Sequence, residues 1–311
     1  MLYGRPVTPL PARFNDLLVC PRCRGELVQE SPGWTCRACP ATYGFEEGTP
    51  NFIVGERFPD ADKSVLLAYE ERANRACAEQ YYVPVIAGLT AGRDRGKVRV
   101  VSVGCGSGVD VEVLTEAGFD AIGFDCGYRN EAWPRRHHCA DRFLLANGLH
   151  APFENESFDV ALTGCVFPHV GVVGDSYTVA PTYRADRLQL AREMTRIVRP
   201  GGHLLLASPN RSFPFDLFHR HDYQRRIPRP TRRDDPFLLS LADYAELFRE
   251  GAGCRVVEAV PTRGYWGFVN MGATWPTWLL RAVLRTWFGL VDARGLRASV
   301  VAPWMCVHVT R

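Results

Sequence analysis

Two hydrophobic periods share this chain, and the change from one to the other marks out its elements. Val98, Val100, Val101 and Val103 form a short β-branched run of the kind a strand buried on both faces needs. It leads straight into Gly104-Cys-Gly-Ser-Gly108, after which apolar positions from Val109 to Ala117 fall at helical spacing. Further strands are predicted over Asp120–Asp125, at Phe143-Leu-Leu, and from Val160 to Val170. Leu190, Met194 and Ile197 predict a helix between Thr182 and Arg199, and the Gly201-Gly202 turn feeds a fifth strand, His203-Leu-Leu-Leu-Ala. Cys254-Arg-Val-Val-Glu-Ala-Val and Trp304-Met-Cys-Val-His-Val read as the last two strands. Strands separated by helices predict an α/β fold with a mostly parallel sheet.

Upstream of Lys97 the pattern differs. Residues 60–90 carry helical spacing at Val65, Leu66, Tyr69 and Tyr81-Tyr82, and Gly92-Arg-Asp-Arg-Gly96 is a polar turn. Before that, Cys20 and Cys23 are separated by two residues, as are Cys36 and Cys39, with twelve residues between the pairs. Each Cys-x-x-Cys lets a tight turn aim two thiolates at one ion, and two such turns complete a tetrahedral zinc site. Pro21 and Gly25 shape the first turn, while Glu26-Leu-Val and Gly33-Trp-Thr read as the short strands of a zinc ribbon. Two disulfides are the rival reading and need an oxidising compartment. A closed four-thiolate site has no open position for catalysis. Such a zinc therefore either replaces a hydrophobic core in a small segment or lets the ribbon grip a substrate, RNA included. The ribbon is expected to end near Phe52-Ile53-Val54, which divides the chain into a ribbon (1–55), a helical linker (56–96) and an α/β domain (97–311).

Composition narrows this little. At 46% hydrophobic and 23% charged residues the chain is ordinary for a globular protein, and a net charge of +3 permits RNA as a partner without arguing for it. The other seven of the eleven cysteines (Cys77, Cys105, Cys126, Cys139, Cys165, Cys254 and Cys306) are scattered, as reduced core thiols are. The N-terminal residues hold no apolar run followed by a small-residue cleavage site, so no signal peptide is expected. No apolar stretch reaches the roughly 18 residues that a membrane span needs; the best, Trp278 to Val291, is broken by Arg281 and Arg285. The expectation is a soluble, cytoplasmic protein.

The chemistry gathers at the glycine run. Glycines there let the backbone turn sharply and approach a ligand without a Cβ clash, and the helix that follows offers free N–H groups. A dinucleotide fingerprint would need glycine at position 109, where Val109 stands. The Gly-x-Gly-x-Gly form instead resembles motif I of the class I, Rossmann-like, S-adenosylmethionine-dependent methyltransferases. Asn147-Gly-Leu-His-Ala-Pro-Phe153 followed by Ser157-Phe-Asp159, and the late Arg199-Pro-Gly-Gly segment, are similar to further motifs of that family. The resemblance covers residues 97–210 and extends loosely to the C-terminus. It implies a seven-stranded sheet and S-adenosylmethionine as cofactor, held by Gly104, Cys105, Gly106, Ser107, Gly108, Asp125, Asn147, Gly148 and Cys165. Asp125, 21 residues after Gly104, is placed to accept from both ribose hydroxyls, or else is a turn residue. Two positions depart from the family: Ser102 stands where an acidic residue is usual, and Asn147 replaces an Asp. An Asn oxygen still accepts from an adenine amino group, although Asn-Gly is also a turn signal. His169 follows the fourth strand where the resemblance places the transferable methyl, and is the candidate general base, with His219, His221 and Tyr177 behind it.

Two insertions have no counterpart in a minimal domain of this kind. Residues 212–237 hold six arginines against one acid within 219–233, either a solvated loop or a lid for an anionic acceptor. His219, His221 and Asp222 in it are a candidate metal set without a third ligand fixed by spacing. Residues 262–300 carry an amphipathic helix and most of five late tryptophans (Trp266, Trp275, Trp278, Trp287 and Trp304), fit for packing on the sheet, an aromatic acceptor pocket or a dimer face. Three functions follow: a methyltransferase acting on a small-molecule acceptor, anionic or aromatic; an rRNA guanine methyltransferase that uses the ribbon to hold RNA; or a non-catalytic S-adenosylmethionine-binding scaffold. Strand four ends in Phe167-Pro168-His169 rather than the Asn/Asp-Pro-Pro-Tyr/Phe of many base-amine methylators, which favours the first.

Overall fold

The alternating valines of the first α/β strand decide where the core lies. The computed structural model describes residues 7–55, 66–127, 129–136, 138–174, 177–219, 229–262 and 275–311. A short helix α1 (Ala12–Asn15) leads into four antiparallel ribbon strands, β1 (Leu27–Glu30), β2 (Gly33–Cys36), β3 (Thr42–Glu46) and β4 (Thr49–Asn51). After α2 (Leu66–Cys77) and α3 (Val83–Leu89) comes the α/β series. It runs β5 (Arg99–Val103), α4 (Val109–Glu116), β6 (Asp120–Asp125), β7 (Phe143–Leu145), β8 (Phe158–Gly164), α5 (Tyr183–Ile197) and β9 (Val198–Pro209). The chain closes with the β10–β11 pair (Phe215–Asp216 and Arg229–Pro230), α6 (Leu241–Ala245), β12 (Val256–Val260), α7 (Trp275–Ala293) and β13 (Trp304–Thr310).

Seven strands form the α/β sheet in the order β7-β6-β5-β8-β9-β13-β12, all parallel except β13, which runs antiparallel to both neighbours. Because side chains alternate across a strand, Val101 and Val103 join Ile122, Phe124, Leu190 and Met194 on one face. Val98 and Val100 join Val109, Val113, Leu114, Tyr81 and Ile86 on the other. Both faces of the sheet are thus covered, as an all-parallel centre demands. Successive connections leave β5 in opposite directions, toward β6 on one side and β8 on the other. That makes the C-terminal end of β5 the switch point where open α/β sheets bind ligands.

Three expectations shift. The fourth strand stops at Gly164 rather than running to Val170, because Cys165 takes a left-handed φ of 58° and Phe167–His169 forms a tight turn around Pro168. The ribbon is no separate bead: β4 pairs with β7 through Asn51 and Leu145, extending the sheet to eleven strands. Trp34 and Phe52 of the ribbon meet with tilted rings, centroids 4.8 Å apart, and share the core of β5 and β6. Arg13–Asp120 (2.7 Å) and Arg24–Glu193 (2.5 Å) tie the two parts further. The late amphipathic helix is α7. It buries Phe288 and Val291, while Leu279, Val283, Trp287 and Leu290 stay exposed. Residues 263–274, Trp266 among them, lie outside the described residues, as do His221 and Asp222. Among the described residues no helix is long and apolar enough to cross a membrane.

Candidate functional site

The switch point is built from two loops in contact. Gly104, Gly106 and Gly108 all have positive φ (71°, 53° and 77°), which L side chains rarely adopt. A Cβ on Gly104 would lie 2.4 Å from Val166 Cγ2, so the loop after β8 rests directly on the loop after β5. A Cβ on Gly108 would overlap the Phe143 ring at 2.5 Å and approach Trp133 at 3.1 Å. Trp133 stacks on Phe143 and donates from Nε1 to the Gly106 carbonyl (2.8 Å), and Arg136 donates to the Ser107 carbonyl (3.1 Å). The loop is therefore clamped from behind by two side chains that the sequence pattern did not single out. From the β6 end, Asp125 Oδ2 accepts from Gly106 N (2.8 Å) and Oδ1 from Gly127 N (2.7 Å), which fixes the carboxylate beside the loop.

The remaining cofactor candidates fall around this cradle. Cys105 packs its thiol into the core, where burial pushes its pKa well up, so only its backbone faces the loop. Ser107 Oγ is buried and lacks a hydrogen-bond partner among the described residues. A buried hydroxyl left over costs free energy, and a polar ligand in the cradle removes that cost. Asn147 Oδ1 accepts from Leu149 N (2.9 Å), the turn role, and keeps a second lone pair. Gly148 packs closely: a Cβ there would meet Leu190 Cδ1 at 2.8 Å unless that side chain shifted. Ser102 hydrogen-bonds the Asp110 carboxyl, which desolvation beside the loop pushes up to about 6. Asp110, in the first turn of α4, thus sets a carboxyl beside Ser102.

Beyond the end of β8, side chains from distant segments converge. Cys165 Sγ lies 3.5 Å from His219 Nε2, and His169 Nε2 lies 3.1 Å from the same atom. His219 Nδ1 donates to the buried Asp216 (2.9 Å), which also accepts from the backbone N–H of Phe218 and His219 (3.0 Å each). His169 keeps an exposed face, yet partial desolvation, with His219 and Arg129 near it, holds its pKa below the ordinary imidazole range. His219 goes the other way, up to about 10: burial opposes its charge, but Cys165 and the Asp216 carboxylate outweigh it. Tyr177 and Phe237 close the wall, their rings 5.1 Å apart and both against His219.

One of the six arginines of the first insertion is already engaged within the fold. Arg229 is buried and paired with Asp216 (3.5 Å) and Asp235 (2.7 Å), so its charge is already neutralised. Arg187 staples the insertion to the β8 loop, donating to the carbonyls of Pro168 (3.1 Å), Pro236 (2.8 Å) and Phe237 (2.9 Å). His219, a metal candidate with His221 and Asp222 on spacing alone, faces Cys165 and His169, while His221 and Asp222 lie outside the described residues.

At the ribbon, Cys20 and Cys39 Sγ are 3.7 Å apart and Cys23 and Cys36 Sγ 3.5 Å apart, with all four within 4.8 Å of one another. Disulfide sulfurs would sit at about 2.05 Å, so the four are free thiols here. Four sulfurs around one zinc at about 2.3 Å each would be about 3.8 Å apart, close to what is found. The set can hold one tetrahedral ion.

Residues 101–206, from the middle of β5 into β9, match the methyltransferase domain family. This is a class I S-adenosylmethionine-dependent methyltransferase domain. An uncharacterized methyltransferase of Mycolicibacterium gilvum is 31% identical over 151 residues, covering 46% of this chain and 54% of that protein. The ubiquinone biosynthesis O-methyltransferase of Aliivibrio fischeri is 26% identical over 166 residues, or 49% of this chain and 65% of that enzyme. The chain thus spans about half to two thirds of the length of these relatives. A methyltransferase structure from Archaeoglobus fulgidus has a TM-score of 0.44 at 14% identity, covering 80% of this chain and 100% of that one. The methyltransferase domain of this chain accounts for the glycine cradle and for the Ser-Phe-Asp motif. Asp159 of that motif binds Arg93 and Arg199 (2.5 Å each) and Arg99 N (2.8 Å), which anchors the base of β8.

Proposed function

We propose that the chain transfers a methyl group from S-adenosylmethionine to a small-molecule acceptor by in-line displacement. The observation that carries this is the acceptor wall. Cys165, His169, Tyr177, His219 and Phe237 close around the end of β8, and Arg229 spends its charge on Asp216 and Asp235 rather than on a partner. A narrow wall of imidazoles and aromatic rings suits a small ligand better than a folded nucleic acid, which needs an exposed basic face. The relative named for ubiquinone biosynthesis, an O-methyltransferase, is consistent with an oxygen acceptor.

Bound S-adenosylmethionine supplies a methyl on a sulfonium, already a good electrophile. The residues of this chain mainly bind, orient and exclude water. Gly104, Gly106 and Gly108 admit the ligand to the backbone, and Asp125 faces its ribose. Asp110, bonded to Ser102, meets its ammonium group, and Asn147 and Gly148 border its adenine. His169 and Cys165 stand on the acceptor side, with His169 the first candidate to receive the acceptor's proton. The ribbon (residues 1–55) holds one zinc through Cys20, Cys23, Cys36 and Cys39, and the zinc is structural, since β4 joins the ribbon to the domain over 97–311. Residues 56–96 link the two.

Incubating the protein with methyl-labelled S-adenosylmethionine and total cell fractions tests this reading. Label is expected among small molecules. Label in RNA overturns it in favour of an rRNA methyltransferase, and no label in any fraction favours a scaffold.

A further inference from the structure

The acceptor side holds a geometry that a proton relay does not require. Three lone-pair donors, Cys165 Sγ, His169 Nε2 and His219 Nε2, lie within 4.8 Å of one another. Their measured edges are 3.5 Å from sulfur to nitrogen and 3.1 Å between nitrogens. Around a tetrahedral zinc, with nitrogens at about 2.0–2.1 Å and sulfur at about 2.3 Å, such edges are about 3.3–3.6 Å. Two of its edges are within a few tenths of an ångström of those values, and the third, from Cys165 to His169, lies within 4.8 Å.

Three supports surround it. Asp216, fully buried, accepts from His219 Nδ1 at 2.9 Å and so makes Nε2 the atom that ligates once an ion displaces its proton. A carboxylate behind a ligating histidine fixes its tautomer and raises its basicity. Cys165 sits at φ 58°, a conformation costly for a residue with a Cβ, and in it the thiol meets His219. Arg187 pins the carbonyls of Pro168 and Phe237, holding the two segments that bring His169 and His219 together.

We propose that Cys165, His169 and His219 form a second metal site, for a borderline-soft divalent ion such as Zn2+, with its fourth position open to the acceptor. One thiolate and two imidazoles are a zinc donor set, and three protein ligands plus an open position distinguish it from the closed ribbon cluster. The inference deepens the small-molecule reading and rests on it for the acceptor class, a hydroxyl or thiol compound. The acceptor hydroxyl binds at the open position and releases its proton to solvent, since a metal ion lowers the pKa of a bound O–H. Its oxygen then forms the new bond to the methyl carbon. The sulfur–methyl bond breaks with its electron pair staying on sulfur, so the anionic oxygen and cationic sulfur both end neutral. His169 then acts as a ligand rather than as a base.

The test is the metal content of the full chain expressed in zinc-supplemented medium. Two zinc ions per chain are expected in the wild type, one in His219→Ala and one in Cys165→Ser, with near-UV circular dichroism unchanged. His219→Cys, which restores a ligand, should return the count to two. Cobalt-loaded protein should lose its mixed nitrogen–sulfur d–d bands in His219→Ala while the four-sulfur bands persist. If His219→Ala fails to fold, Cys165→Ser and the cobalt spectrum decide. A wild-type count of one that neither variant lowers, or of zero, overturns the proposal and leaves a hydrogen-bonded imidazole pair. A count of one that His219→Ala abolishes supports this site and removes the ribbon zinc instead. Two zinc ions with label found in RNA keep the site and discard the small-molecule acceptor.

Discussion

The two walls of the cleft are made in opposite ways. The cofactor wall is backbone held by near neighbours: the Gly104–Gly108 loop is fixed by Asp125, Trp133 and Arg136, all within about thirty residues of it. The acceptor wall is side chains brought together from afar: Cys165 and His219 are 54 residues apart in sequence, His169 and His219 are 50. Backbone cradles recognise what every member of a family binds, whereas converging side chains set what one member does with it. The first wall should therefore fail by misfolding and the second by lost chemistry.

The harshest test is Gly108→Val. At φ 77°, with the added Cβ overlapping Phe143, it should cost about 3 kcal/mol or more and abolish S-adenosylmethionine binding, read by thermal melting and calorimetric titration. Normal binding would mean that the loop is not the cradle.

Asp159→Asn, at the far end of β8, should cost about 1–2 kcal/mol by weakening its charge-assisted bonds, since Arg93 and Arg199 are partly exposed and stay solvated. Cofactor affinity per folded molecule should hold. Burial works against the Asp159 carboxylate, but Arg93, Arg199 and the Arg99 N–H keep its pKa below the ordinary value. Its stabilisation is therefore complete above about pH 4, the unfolded value, and fades as pH falls through the folded pKa. Wild-type and variant melting temperatures should converge in acid. A gap that persists there would assign the effect to packing.

Smaller and more selective, Asp216→Asn should lower turnover about 10- to 100-fold by releasing His219, a loss typical of groups that orient a functional histidine. The Kd for S-adenosylmethionine should not move. An equal loss of cofactor affinity would erase the distinction between the walls. Least severe, Asp110→Asn should raise the KM for S-adenosylmethionine about tenfold, or about 1.4 kcal/mol, with kcat unchanged, because Asn still accepts from Ser102.

What was legible in the sequence follows the same division. The strand series, the glycine loop and the paired cysteines are written in spacings of a few residues, and periodicity reads spacings. The clamp by Trp133 and Arg136 is nearly local, but an isolated Trp or Arg carries no period. Ser-Phe-Asp was visible as a motif, yet its reason was not, since Arg93 and Arg199 come from 66 and 40 residues away. The arginines of 219–233 read as one basic stretch, although Arg229 is neutralised by Asp216 and Asp235 in the fold. Spacing groups His219 with His221, two residues on, and only the fold reveals its neighbours at 165 and 169. The ribbon's outline was plain too, but its docking on β7 was not, because one short parallel pairing leaves no trace in composition.

That pairing gives the ribbon a second duty. An uncovered sheet edge is a template for another chain, and proteins guard such edges with care. By lying along β7, β4 acts as a guard strand, held in place by a hairpin that the four thiols gather. Opening the thiol cluster, by chelation or oxidation, would free the guard and bare the apolar edge Phe143-Leu144-Leu145. The first symptom of such damage in a cell would be insolubility, well before any slowing of catalysis.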